Sequence, residues 1–232
     1  MASQTLSRSQ KKNKKRKVFI LCFFIAIIFA IGLYTIKSPH DKRISLFTNS
    51  ISGDNTTKIQ EEKIAPIKKA AQGFFTNIRF ADKLYDIKPF AFKDIQGNEH
   101  TLAEFTGKPL LINLWAIWCA PCRMEMPELA QLKHEMNGEN FDVIAINTDQ
   151  TASAEKIQQF LQDVHADNLV YYRDETMSIF NNVRKQGLAL GLPITLLIDK
   201  DGYLIASFNG AAPWSNDDAK ALIKAIIMRE MQ

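Results

Sequence analysis

Trp118-Cys119-Ala120-Pro121-Cys122 constrains the fold of this chain more than any other stretch. Two thiols separated by two residues at a strand-to-helix junction interconvert with a disulfide at little strain, and the flanks supply such a junction. The preceding run, Pro109-Leu-Leu-Ile-Asn-Leu-Trp-Ala116, is short and apolar and is bounded by Gly107 and Pro109, the pattern of a buried strand. After the motif, Glu125, Glu128, Leu129 and Leu132 recur at helical spacing. Pro121 falls near the start of that helix, where its missing N–H is harmless. Cys119 therefore sits at the positive end of a helix dipole, which favours thiolate over thiol.

The same alternation continues on both sides. Phe90 to Asp94 and the turn Gln96-Gly97-Asn98 predict a hairpin, followed by a strand at Leu110–Trp115 and a helix over Pro121–Met136. A strand at Phe141–Asn147, a helix at Ser153–His165, a short strand at Leu169–Tyr172 and a helix near Thr176–Lys185 come next. The strand Pro193–Asp199 turns at Lys200-Asp201-Gly202 into Tyr203–Phe208, and an amphipathic helix from Asn216 to Met228 closes the pattern. Strands alternating with helices and ending in an antiparallel hairpin make an α/β domain with a mixed central sheet. Residues 86–232 are enough to bury a core without staples.

The amino-terminal part has a different character. Val18 to Ile36 holds no charge over nineteen residues; at about 1.5 Å per residue it matches the roughly 30 Å hydrocarbon core of a bilayer. Arg8, Lys11, Lys12, Lys14, Lys15, Arg16 and Lys17 precede it. This flank predicts a cytoplasmic segment 1–17, an anchor 18–36 and an N-terminus inside. A cleaved signal peptide would have a shorter apolar region and a small-x-small site, which Gly32 to Lys37 does not supply. Residues 1–85 carry 16 Lys and Arg against 5 Asp and Glu, whereas residues 86–232 carry 13 against 20. The basic charge thus lies largely beside the membrane, where it sets topology and meets anionic lipid, and nucleic acid is a poor fit to the acidic remainder.

Residues 37–85 read as a tether, rich in Lys, Ser, Thr, Asn and Asp, followed by the domain at 86–232. Ile64, Ile67, Ala71, Phe74, Phe75 and Ile78 recur at intervals near 3.6 and allow a short amphipathic helix around Lys63 to Phe80. Asn55-Thr56-Thr57 matches a glycosylation acceptor by pattern only and receives no role.

From about residue 86 onward the chain resembles the thioredoxin fold and, within it, the membrane-anchored TlpA group of extracytoplasmic thiol–disulfide oxidoreductases. The resemblance rests on Asn113-Leu-Trp-Ala, Trp118-Cys-Ala-Pro-Cys, Glu125-Met-Pro127 and Gly191-Leu-Pro-Ile-Thr-Leu-Leu-Ile-Asp199, in that order and after an anchor. Gly210-Ala-Ala-Pro-Trp214 is similar to the branch implicated in maturing copper centres of cytochrome oxidase. The resemblance implies that Cys119 attacks a substrate disulfide and that Cys122 resolves the mixed disulfide, the pair serving as redox disulfide with no bound cofactor. It also implies a glutamate shuttling the resolving thiol's proton. Glu125 stands at that position, one helical turn after Cys122, and burial would raise its pKa; a solvated helix carboxylate is the alternative. Asn113 replaces the strand aspartate of thioredoxins and cannot titrate. Pro193 is the expected cis proline, with Leu192 offering its backbone to an extended substrate segment; an ordinary trans proline at a strand start is the other reading.

Trp118, Ala120, Pro121, Leu192 and Pro193 form the expected substrate surface. Trp115 reads as core. Trp214 reads as a buried staple ahead of the last helix or as surface recognition. Met124 and Met126 offer adaptable apolar surface or simple helix packing, and Arg123 either supports the thiolate or is an ordinary exposed charge. Cys22 lies alone in the apolar run. His40, His100, His134 and His165 are scattered and give no metal-ligand spacing with the dithiol.

Ala120-Pro121 lacks the histidine that stabilises the thiolate in strong oxidants such as DsbA, which points to a reductase. Outside the cytoplasm a reductase needs electrons from a membrane thiol transporter of the DsbD or CcdA type, as the resemblance implies. Its substrates would be disulfide-bearing periplasmic proteins, including copper-site assembly factors or apocytochrome c, and an exposed active-site edge suits a monomer. A dithiol oxidase, with a potential near the DsbA value of about −120 mV, and a copper-binding chaperone using the cysteines as soft ligands are the alternatives.

Overall fold

The computed structural model describes residues 61–62 and 64–231. The expected basic segment, the anchor at Val18–Ile36, Cys22, Asn55 and the first part of the tether lie outside the described residues. Among the described residues no helix is long and apolar enough to cross a membrane.

Among the described residues eight strands form one sheet: β1 (Arg79–Phe80), β2 (Ala91–Lys93), β3 (Glu99–Thr101), β4 (Leu110–Trp115), β5 (Asp142–Asn147), β6 (Tyr172–Arg173), β7 (Ile194–Ile198) and β8 (Leu204–Asn209). The helices are α1 (64–70), α2 (Ala120–Met136), α3 (Ala154–Asp163), α4 (Ser178–Lys185) and α5 (Asp217–Glu230). Strand order across the sheet is β1-β8-β7-β4-β5-β6-β2-β3. β4, β5 and β6 run parallel, because helices cross between them, whereas β7 and β8 form an antiparallel hairpin beside β4. The fold is thioredoxin-like α/β with a mixed sheet, as expected.

Alternation along the central strands divides the core into two layers. Leu111, Trp115, Val143, Ala145 and Leu197 pack with α2, α3 and α5, while Ile112, Leu114, Ile144, Ile146, Leu196 and Ile198 pack with α4 and Phe92 of β2. Both faces are covered, which is why these strands read as nearly continuous apolar runs.

Two expectations need correction. The folded unit begins well before residue 86, because Ile67, Ala71, Phe75, Ile78 and Ala81 are buried and β1 pairs with β8. A few apolar side chains suffice here, since they extend an existing core rather than build one. Nor does a single helix run from Lys63 to Phe80. α1 ends at residue 70, Gly73 adopts a positive φ of 54°, a 3-10 turn spans Gly73–Asn77, and Phe74 is left exposed. Glycine suits position 73 for its positive φ, and a side chain there would also have to displace the Asp218 carboxylate at the start of α5.

The strand expected over Leu169–Tyr172 is also displaced. Leu169 instead closes a turn onto the Ala166 carbonyl, and pairing with β5 starts only at Ile146 opposite Tyr172.

Candidate active site

β4 delivers the chain to the dithiol and α2 carries it away. Cys119 is the N-cap of α2, with extended φ and ψ of −85° and 100°, and its sulfur accepts the Cys122 backbone N–H at 3.3 Å. The residue therefore occupies the place where side-chain acceptors satisfy unpaired helix donors, and those donors favour negative charge on the sulfur. Pro121 lies in the first turn, where it forfeits no intrahelical bond. The two sulfurs are joined in a disulfide, with Cα atoms 5.2 Å apart.

Cys119 is 4% exposed and Cys122 is fully buried. Around it the surface is open: Trp118 is 65% exposed, and Ala120, Pro121, Arg123 and Met124 are exposed too. Met126, one turn along, belongs to the core.

The second wall of the site comes from the start of β7. Ile194 pairs antiparallel with Leu114, so the residues just before β7 lie at the sheet end where β4 gives way to the dithiol. The Leu192–Pro193 peptide is cis, as expected. Pro193 is buried and its carbonyl accepts the Gly210 N–H at 2.9 Å. Leu192 is half-buried and touches both apolar layers. Among the described residues its backbone N–H and C=O have no partner, which leaves one strand-like pairing position open beside the disulfide.

Beneath the disulfide lies a buried polar cluster. Glu125 is 1% exposed. Its Oε1 accepts Asn113 Nδ2 at 2.8 Å, and its Oε2 accepts the Ala212 N–H and the Trp214 indole N–H, both at 3.3 Å. Asn113 Nδ2 is also 2.9 Å from Thr195 Oγ1. Burial pushes the Glu125 carboxyl up to about 7, and the three donated hydrogen bonds pull the other way. A carboxyl so placed exchanges a proton near neutrality within one helical turn of Cys122.

Sequence reasoning reached Glu125 and its burial but missed the groups that hold it. Asn113 and Thr195 were visible as polar residues interrupting apolar strands at positions that face inward. Trp214 is fully buried, so the staple reading is the correct one, yet its N–H bond to Glu125 spans 89 positions and has no local signature. Among the described residues no group of three or more His, Cys, Asp or Glu side chains could hold a metal ion.

A thioredoxin-like sheet with a Cys-x-x-Cys disulfide at a helix N-terminus and a cis proline beside it defines a dithiol–disulfide exchange protein. The chain belongs to the Redoxin family, which matches residues 81–223. It is 28% identical over 143 residues to the thiol-disulfide oxidoreductase ResA of Bacillus thuringiensis subsp. konkukian, covering 60% of this chain and 76% of the relative. It is 29% identical over 120 residues to the thioredoxin-like protein YneN of Bacillus subtilis, covering 50% and 64%. Among solved structures it is similar to one described as a thiol:disulfide interchange protein DsbE from Chlorobium tepidum, with a TM-score of 0.52 and 27% identity over 63% of this chain and 98% of that one. This protein is a thiol–disulfide oxidoreductase, working through its cysteine pair on disulfide-bearing proteins.

Proposed function

We propose that the protein is a membrane-anchored reductase of disulfides in the periplasm, acting in cytochrome oxidase copper-site assembly or cytochrome c maturation. The carrying observation is the buried Glu125 carboxyl, held near neutrality one turn from Cys122. The Cys119 thiolate attacks one sulfur of the substrate disulfide, forming a mixed disulfide and expelling the other substrate sulfur as a thiolate. Cys122 gives its proton to Glu125, and its thiolate attacks the Cys119 sulfur. The Cys119–Cys122 disulfide forms and the second substrate thiol leaves, so two electrons have passed from the dithiol to the substrate. A membrane thiol transporter of the DsbD or CcdA type returns them through its own dithiol.

Substrate docks on Trp118, Ala120 and Pro121, and its extended backbone pairs with Leu192 beside Pro193. The exposure of the first three and the free backbone groups of Leu192 support this placement. The anchor at Val18–Ile36 and its basic flank support a cytoplasmic N-terminus and a periplasmic catalytic domain.

Cys122→Ser, expressed in native membranes, tests the scheme. A mixed disulfide through Cys119 accumulates and is reversed by dithiothreitol, and the Cys119 thiol so released, once the reductant is removed, reacts with a membrane-impermeant maleimide added from the periplasmic side. Continued turnover without adduct overturns the assignment of attacker and resolver. Labelling from the cytoplasmic side only overturns the location, and a potential near about −120 mV makes the enzyme an oxidase instead.

A further inference from the structure

The loop between β8 and α5 is tied to Pro193 before β7 and to Glu125 and Glu128 of α2. Gly210 N–H reaches the Pro193 carbonyl at 2.9 Å, Ala212 N–H and Trp214 Nε1 reach Glu125, and Ser215 donates its N–H to Glu128 Oε2 at 3.2 Å and its hydroxyl to the same oxygen. The Trp214 ring is itself clamped. Phe208 of β8 meets it edge-on at 5.8 Å and Phe75 packs at 4.9 Å, the two phenyl rings lying 5.5 Å apart. Phe75 belongs to the 3-10 turn that precedes the Redoxin match, and it is fully buried.

We propose that Trp214 is a positioning residue for the Glu125 carboxylate, and that Phe75, supplied by the segment between the anchor and the family domain, fixes the indole in the orientation that donates to Oε2. An aromatic ring needed only to fill the core would be satisfied by phenylalanine. Tryptophan adds one donor, and that donor ends on the only carboxylate in this buried cluster. Phe75 has no polar atom to offer, so its part is to prevent the indole from tilting away.

The electrostatic setting is simple enough for this bond to be visible. On α2, Cys122 one turn before Glu125 is held in the disulfide and does not titrate in the oxidised protein, and Glu128 on the next turn is occupied by Ser215. β4 and β7 present the neutral Asn113 and Thr195, and the loop presents Ala212 and Trp214. Among the described residues no charged side chain shifts the carboxyl, which is governed by burial and three hydrogen bonds. Removing one donor from the ionised form raises the midpoint.

This inference rests on Glu125 as proton carrier only for its effect on rate; the positioning itself is measured directly. In the full-length oxidised protein, the titration of the Glu125 side-chain carbon is followed by NMR for wild type, Trp214→Phe and Phe75→Leu. Trp214→Phe, which keeps an aromatic ring at the site and deletes the donor, moves the midpoint upward by about one pH unit, the equivalent of one charge-assisted hydrogen bond. Phe75→Leu moves it the same way by less and remains informative if Trp214→Phe fails to fold. Unmoved midpoints in the folded variants overturn the proposal, even if thermal stability falls, because that is the result of simple core filling. With the reduced enzyme, the pH–rate profile of exchange shifts with the midpoint in Trp214→Phe and is lost in Glu125→Gln. A shifted midpoint with a rate profile unchanged by Glu125→Gln upholds the positioning and removes Glu125 from catalysis. An altered profile in Glu125→Gln with no midpoint shift in Trp214→Phe does the reverse.

Discussion

The two faces of the central sheet use the same strands for opposite purposes. Toward α4, β4, β5 and β7 present Ile112, Leu114, Ile144, Ile146, Ile194, Leu196 and Ile198, a continuous aliphatic set. Toward α2 and α5 the intervening residues include Leu111, Trp115 and Leu197, but also Asn113 and Thr195, which are register partners on adjacent strands. Opposite them α2 buries Glu125 beside the disulfide. Burying an amide, a hydroxyl and a carboxyl is unfavourable unless each finds partners, and the Asn113 Oδ1 atom finds none. The first layer is apolar along these strands, whereas the second carries the polar set whose hydrogen bonds converge on Glu125.

That contrast is broken most severely from the aliphatic side. Leu196 is fully buried, and Leu196→Ala removes its side chain from a layer with no means of compensating. The expected loss is about 2–5 kcal/mol of unfolding free energy, read from the midpoint in urea at constant slope. The pH dependence of thiol exchange in the folded variant stays as in wild type. A changed pH profile would mean that the two layers are coupled and the division between stability and chemistry is wrong.

The opposite experiment is made in the polar layer. Glu125 titrates near 7 in the folded protein against an ordinary value of 4.5. Its folded-state pKa is raised, so the native state binds the extra proton between those values. Its contribution to stability is full below about pH 4.5 and is lost as pH rises through about 7. At about 1.4 kcal/mol per pKa unit, the most this group withdraws is of the order of 3 kcal/mol. Glu125→Gln keeps the shape and removes the charge. Compared in urea at pH 5 and pH 8, the oxidised variant shows less loss between the two pH values than wild type and is the more stable of the pair at pH 8. Parallel pH dependences for the two proteins would show that the carboxyl is solvated.

The legibility of the molecule follows how local its causes are. The limits of β4 were readable from Pro109, the apolar run and the motif after it, and α2 from its apolar spacing and Pro121. The position of Glu125 was readable because a helical turn is a local rule. Its cradle was not, since Ala212 and Trp214 reach it only after β8 has paired with β7 and brought the loop back over α2. The same holds for residues 64–81. Their apolar residues are too few to declare a core, and they are buried because Trp214 and Phe208 already stand there to receive Phe75.

The finest test lies at the sheet edge on the aliphatic side, where His100 supplies a second pH dependence of the same sign as Glu125. Its Nδ1 lies 2.8 Å from Glu104 and its Nε2 3.2 Å from Asp94, while the ring stacks on Phe92 and meets the edge of Tyr172. The Glu104 hydrogen bond, then that to Asp94, holds the imidazolium form and raises its pKa above the usual 6.5. The resulting stability is fully present below about pH 6.5 and is lost as pH rises through the higher folded value. Because the site is solvated the effect is small, and Glu125→Gln provides the background in which it can be seen. There, His100→Gln lowers stability at pH 6 more than at pH 9, and NMR of the parent places the imidazole midpoint above 6.5. Equal losses at both pH values would reduce the cluster to packing on Phe92, leaving the polar layer beneath the disulfide as the source of whatever pH dependence the fold displays near neutrality.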